Sequence, residues 1–197
     1  MQYYVVTFTH TRIFGWLVYL YAHIKYLKKL IKEGKLQISG PGVGTPVRSA
    51  QLVFKVTDRD ELDKLVEADP YSIHDLVASS TVNLWDVKYS SMLKPTTPDR
   101  KGTKYFRATF DLKDGTDTSN VEQERDIYLK KLISEKKMRA SGIYVNRPSS
   151  GLSILSVANA GEAEHIMKND PYVAKLGASF QVIQWDPRFG DFIFKDK

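Results

Sequence analysis

Tyr3-Tyr4-Val5-Val6-Thr7-Phe8 falls on Tyr105-Phe106-Arg107-Ala108-Thr109-Phe110 when the chain is slid along itself by 102 residues. The same offset lays Tyr26-Leu27-Lys28-Lys29-Leu30-Ile31 on Tyr128-Leu129-Lys130-Lys131-Leu132-Ile133, and Ser39-Gly40 on Ser141-Gly142. Asp69-Pro70-Tyr71 then meets Asp170-Pro171-Tyr172 at an offset of 101, and Trp85-Asp86 meets Trp185-Asp186 at 100. A repeat of about half the 197-residue chain means two copies of one plan. Each copy is just large enough for a modest core, so packing of one on the other is expected to matter. One position breaks the agreement: His23 becomes Arg125.

Working outward, the first copy reads strand, helix, strand, strand, helix, strand. Residues 2–10 are β-branched and aromatic, 14–33 carry the longest helical pattern, and Gly34 is its natural stop. Leu36–Ser39 enters the turn-rich Gly40–Pro46, and Gln51–Val56 returns as the hairpin partner. A capped, charged helix follows at Asp58–Ala68, with a last strand at Thr81–Tyr89. The second copy repeats the order at Lys104–Leu112, Val121–Lys136, Met138–Val145, Leu152–Ala158, Gly161–Asn169 and Phe180–Asp186. Lys94-Pro95-Thr96-Thr97-Pro98-Asp99 reads as a stiff polar linker, so the expected organisation is 1–93, a linker at 94–102, and 103–197.

A βαββαβ order with a right-handed crossover gives an antiparallel four-stranded sheet with both helices on one face, the ferredoxin-like arrangement. The other face is left bare, and two copies can bury those faces together. The expected fold class is therefore α+β, with two such halves packed sheet to sheet as a single-chain pseudo-dimer. Trp85 and Trp185, present in both copies, are expected to pack at that interface first and to line a pocket second.

Composition narrows the function classes. The chain is 42% hydrophobic and 26% charged, neither membrane-like nor disordered. It has no cysteine, which excludes disulfides, thiol nucleophiles and Cys-ligated metals and fits a cytoplasmic protein. The net charge of +6 comes largely from helical runs such as Lys25, Lys28, Lys29 and Lys32, read as solvated faces. Neither an RNP-type nor a KH-type signature is visible, so nucleic acid is not an expected partner. The apolar run at residues 13–22 follows the strand-like Tyr3–Phe8, lacks the basic n-region of a signal peptide and is too short to span a bilayer, so no membrane association is expected.

The first helix carries two stripes. Ile13, Leu17, Leu20, Ile24, Leu27 and Ile31 recur at spacings of four and three and are assigned to packing on the sheet. About 100° around the helix run Trp16, Tyr19, His23, Tyr26 and Leu30. That second stripe is aromatic with polar tips and one imidazole, which suits a small-molecule pocket. A satisfied core histidine is the other reading of His23. The corresponding turns of the second copy, Val121-Glu122-Gln123-Glu124-Arg125-Asp126, are hydrophilic.

In order along the first copy stand His23, Leu27, Leu30, the turn Gly34-Lys35-Leu36, the pair Gly40-Pro41 and the triplet Asp69-Pro70-Tyr71. This series resembles the YCII-related domain family over nearly the whole first half, with a degraded version in the second. The resemblance implies the dimeric α+β barrel form of the ferredoxin-like fold. It also implies a site in which the helix histidine and the aspartate of Asp-Pro-Tyr form a dyad, here His23 and Asp69. Its best-understood relatives act on small ring compounds such as chlorinated hydroxyquinols, and most members have no assigned substrate. In the second half Arg125 replaces the histidine and Ile143 the proline, while Asp170-Pro171-Tyr172 is kept, so the dyad is expected in the first half alone.

The chemistry that follows is proton transfer. A carboxylate bonded to one imidazole nitrogen fixes the tautomer and leaves the other nitrogen to move a proton near neutral pH. With no serine or cysteine nucleophile indicated, elimination or isomerisation of a small, aromatic or anionic metabolite is the expected reaction. A non-catalytic binding or sensing module is the alternative class. Asp69 is open to a second role, because Asp-Pro-Tyr also reads as a helix N-cap with proline at N1. Trp16, Tyr19, Tyr26, Tyr71 and Arg12 are the expected substrate-binding residues. His10 and Arg12 end the first strand, either near the pocket mouth as anion binders or as solvated loop residues. His74 and His165 read as surface groups, and Gly40–Gly44 as a flexible hairpin over the pocket. No histidine–carboxylate set has metal-ligand spacing, so neither metal nor cofactor is expected. Assembly beyond the internal pseudo-dimer is left open.

Overall fold

The structure is a computed structural model that describes residues 1–10, 15–90 and 102–190. The first copy forms β1 (Gln2–His10), α1 (Gly15–Lys32), β2 (Leu36–Pro41), β3 (Ser49–Val56), α2 (Arg59–Glu67), the single turn α3 (Pro70–Ile73) and β4 (Val77–Ser90). The second forms β5 (Lys104–Asp111), α4 (Ser119–Ser134), β6 (Met138–Tyr144), β7 (Arg147–Val157), α5 (Ala160–Lys168), the turn α6 (Pro171–Ala174) and β8 (Ser179–Trp185), followed by β9 (Phe189–Gly190). The chain is thus mixed α+β with antiparallel strand pairing. Among the described residues no helix is long and apolar enough to cross a membrane.

Two compact units emerge: Met1–Leu84 with Asp186–Lys197, and Trp85–Trp185. Residues 94–101 of the expected linker lie outside the described residues. Strand order in the first unit is β4-β1-β3-β2-β9, and in the second β8-β5-β7-β6-β4. β4 enters both because Trp85 to Ser90 pair with β6, Trp85 opposite Tyr144 and Ser90 opposite Ala140. In the first unit the corresponding edge is β9, with Ile38 opposite Gly190 and Ser39 opposite Phe189.

Glycine makes both edge pairings sterically feasible. A Cβ on Gly40 would stand 2.1 Å from the Asp186 carbonyl oxygen, and one on Gly142 would stand 1.9 Å from that of Asp86. No side chain fits at either place, which explains why Ser-Gly recurs in both copies.

Each unit has its own core on the helical face of its sheet. Tyr4, Val6 and Phe8 of β1 alternate inward to meet Leu27, Leu30, Leu52, Phe54 and Leu62. Phe106, Ala108 and Phe110 of β5 do the same against Leu129, Leu132, Leu155, Ile166 and Met167. The second helix of each copy is capped alike. Asp58 Oδ1 accepts from Glu61 N–H at 2.9 Å, and Asn159 Oδ1 accepts from Glu162 N–H at 3.0 Å.

The long helix differs from its expected packing. Leu27 and Leu30 are its buried residues, while Leu17, assigned to the core, is 50% exposed. Trp16, Tyr19, His23 and Tyr26 are partly buried. The physical reason is α3: the first turns of α1 lie against Tyr71 and His74, so the aromatic stripe turns toward that short helix.

Candidate active site

His23 and Asp69 meet. Nδ1 of His23 stands 2.8 Å from Asp69 Oδ1, with side-chain exposures of 12% and 4%. The Tyr71 ring lies 4.0 Å from the imidazole at an interplanar angle of 11°, so the histidine is oriented by a carboxylate at its edge and an aromatic face. Asp69 is placed by its own cap: the same Oδ1 accepts the Tyr71 N–H at 2.8 Å, with Pro70 at the first helical position. One carboxylate therefore does both things the sequence allowed, capping α3 and holding the histidine.

The second unit shows the same frame with different chemistry. Asp170 Oδ1 accepts the Tyr172 N–H at 2.9 Å and the Arg125 Nε–H at 2.8 Å, and Nη2 of Arg125 reaches Oδ2 at 3.1 Å. The guanidinium lies 3.9 Å from the Tyr172 ring centre and 4.6 Å from that of Phe110. Arg125 thus takes the place of His23 against the aspartate and against the tyrosine. A guanidinium stays protonated at ordinary pH, so the pair can hold charge and cannot shuttle a proton.

The remaining expected residues separate into groups. Tyr71 and Trp16 lie beside the His23–Asp69 pair: Tyr71 donates its hydroxyl to the Trp16 carbonyl at 3.1 Å, and burial pushes its phenol up to about 12, so it stays protonated. Tyr19 stacks at 3.7 Å and 14° on His74, which is exposed as expected. Tyr26 donates its hydroxyl to the Leu65 carbonyl at 2.8 Å, as Tyr128 does to Ile166 at 2.8 Å, so this tyrosine ties helix to helix in both copies. Arg12 lies outside the described residues.

Two groups carry more than the sequence indicated. His10 packs edge-on against Tyr71, with ring centres 5.3 Å apart at 88°. Burial and then the Arg48 charge hold its imidazole below the ordinary histidine value. Sequence reasoning missed Arg48, whose guanidinium lies 3.6 Å over the Trp16 ring. The available signal was the comparison of copies, in which Ser149 stands where Arg48 does and Leu112 where His10 does.

This geometry is what known proteins can be set against. Residues 19–86 match the YCII-related domain. The matched stretch contains His23 and Asp69 and ends two residues past Leu84, the last residue of the first unit's main segment. No functionally curated protein matches the chain. Among solved structures, a candidate monooxygenase from Lactobacillus acidophilus NCFM is 14% identical, covering 94% of this chain and 93% of its own, with a TM-score of 0.52. A heme-binding protein from Thermus thermophilus is 11% identical over 93% of this chain and 91% of its own, at 0.60. A chlorite dismutase variant from Candidatus Nitrospira defluvii is 8% identical over 94% and 91%, at 0.54. At these identities the likeness is one of fold.

Proposed function

We propose that the first unit is a proton-transfer site for a small metabolite, with His23 as the acid–base group and Asp69 as its orienting carboxylate. The observation that carries this reading is the 2.8 Å contact between His23 Nδ1 and an aspartate already fixed by the Tyr71 N–H. With Asp69 ionised, Nδ1 carries the proton and donates it to Oδ1, which leaves the Nε2 lone pair for chemistry. In an elimination, Nε2 takes a proton from the substrate while the leaving group departs with its bonding pair. The imidazolium then returns the proton to water, and the net change is loss of HX. In an isomerisation the same proton is returned to a different atom of the substrate. Trp16, Tyr19 and Tyr71 serve as aromatic walls, matching a ring substrate in shape.

The finer architecture we propose is a single-chain α+β barrel built from two ferredoxin-like halves. Its support is the repeated strand order, the two glycine-lined strand edges, and fold relatives that span nearly the whole chain.

The test is turnover of chlorinated hydroxyquinols, the class the YCII resemblance points to, followed by halide release. His23→Ala is expected to keep its circular dichroism and lose about 10²–10⁴-fold in rate, the usual weight of one acid–base group. Asp69→Asn should lose less, because the histidine remains. If His23→Ala binds the ring compounds as wild type does and wild type turns none of them over, the site is a binding module. If the variant unfolds and no ring compound raises the wild-type Tm, the site reading fails.

A further inference from the structure

The duplication supplies an internal control for which side chains the scaffold requires. The His10 N–H donates to the Arg48 carbonyl at 3.1 Å, and the Leu112 N–H donates to the Ser149 carbonyl at 2.7 Å. His10 and Arg48 therefore correspond to Leu112 and Ser149. Trp16 corresponds to Thr118 at the offset that pairs His23 with Arg125, and Tyr71 to Tyr172. Leu112, Thr118, Ser149 and Tyr172 all line one cavity of about 810 Å³ in the second unit. The fold opens ligand-sized space at this place.

The first unit surrounds the equivalent place with different chemistry. Thr118 stands at the N-cap position of α4 without a side-chain cap bond, and Ser149 is the third residue of β7; neither is aromatic or cationic, so Trp16 and Arg48 are not needed to build the scaffold. Stacking on Trp16 holds the Arg48 guanidinium by its face and leaves its N–H edges for planar, two-point recognition of an anion. Arg48 is exposed, and it has no acidic partner among the described residues. His10 Nδ1 is buried without a hydrogen-bond partner among the described residues, an unusual condition for a ring nitrogen beside an aromatic wall. In the second copy the cavity wall is acidic on balance, with Asp111, Asp114 and Glu122 against Lys113 and Arg147. Trp16 and His23 are seven residues apart, about 10 Å along α1, a span that one substituted ring can bridge.

We propose that Arg48, braced by Trp16 and flanked by His10, is a specificity subsite for the carboxylate or phenolate of a small ring substrate whose reacting end lies at His23. This rests on the proton-transfer reading for the position of that reacting end. A lysine in place of Arg48 would keep the charge but lose the planar fork and the flat stacking, so Arg48→Lys should fall between wild type and a neutral replacement.

The test is calorimetric titration with 4-hydroxybenzoate and its neutral isostere 4-hydroxybenzamide, on wild type, Arg48→Gln, Arg48→Lys and His23→Ala. Wild type is expected to bind the acid at least about 10-fold tighter than the amide, the weight of one charge-assisted pair. Arg48→Gln should bring that ratio to about one with an unchanged Tm. Loss of discrimination in Arg48→Gln, with both probes unaffected by His23→Ala, supports the subsite while counting against the dyad as its neighbour. Equal binding of acid and amide by wild type overturns the subsite, and so does discrimination that survives Arg48→Gln. Failure of the acid to bind wild type overturns it as well.

Discussion

His23 and Arg125 occupy one structural position and give it two different purposes. Both lie against an aspartate whose Oδ1 caps a one-turn helix, and both rest on the tyrosine that follows it. The arginine makes a two-pronged buried ion pair and stacks on two rings, so its role is structural in kind. Breaking a buried pair leaves an uncompensated charge, and Arg125→Ala should cost about 3 kcal/mol of stability. His23→Ala removes one hydrogen bond from an aspartate that keeps its backbone partner, and should cost nearer about 1 kcal/mol. Denaturant midpoints of the two variants check the order, and equal losses would mean that His23 is as structural as Arg125. Each residue's local setting was legible in the sequence, an aromatic helical stripe and an Asp-Pro-Tyr cap, while their pairing was what the YCII resemblance implied. Arg48 was not, because it is separated from Trp16 by 32 residues and sits in a run, Val47-Arg48-Ser49, with no periodicity to mark it.

At the scale of elements, the repeat makes each copy a reference for the other. The turn after α1 holds Gly34 at φ +71, while the turn after α4 holds Lys136 at φ +58, a left-handed conformation that costs a side chain about 1 kcal/mol. Lys136→Gly should therefore raise stability by about that amount, readable as a higher Tm. The start of α2 gives a pH-dependent case. Glu61 accepts from Lys35 and from the Thr57 N–H and hydroxyl, the latter two at 2.7 Å, and these donors, Lys35 foremost, bring its carboxyl down from 4.5 to about 2. A depressed carboxyl stabilises the fold above its unfolded value and loses that contribution as pH falls. Wild type should thus exceed Glu61→Gln in stability at pH 7, with the gap closing between about 4.5 and 2. A gap independent of pH would show that the charge is not the cause. Strand and helix order were legible from alternation and caps. The direction in which α1 turns its aromatic face was not, because both stripes can be buried and only the contact with α3 decides between them.

On the scale of the molecule, the units do not coincide with the two copies. The first unit takes Asp186 onward, and the second begins at Trp85. Each glycine-lined edge, at Gly40 and at Gly142, receives a strand end from the other copy's stretch of chain. Residues 1–93 expressed without 103–197 would lack the edge of the first unit, and the reverse holds for the second. The two pieces should be poorly soluble singly and co-purify when expressed together. Independent folding of either piece would contradict this reciprocal exchange. The repeat was visible in the sequence, but a strand that leaves one copy to complete the other has no local signature, only the paired Ser-Gly and Trp-Asp motifs that the structure brings together.

The proposed proton-transfer site requires that Asp69 set the His23 tautomer and leave Nε2 free. Nitrogen-15 NMR of histidine-labelled protein, at a pH where the ring is neutral, reads this without needing a substrate. A protonated Nδ1 and an unprotonated Nε2 are expected on His23, with the preference lost in Asp69→Asn. A proton resident on Nε2 in the wild-type protein, or a tautomer indifferent to Asp69→Asn, would contradict it.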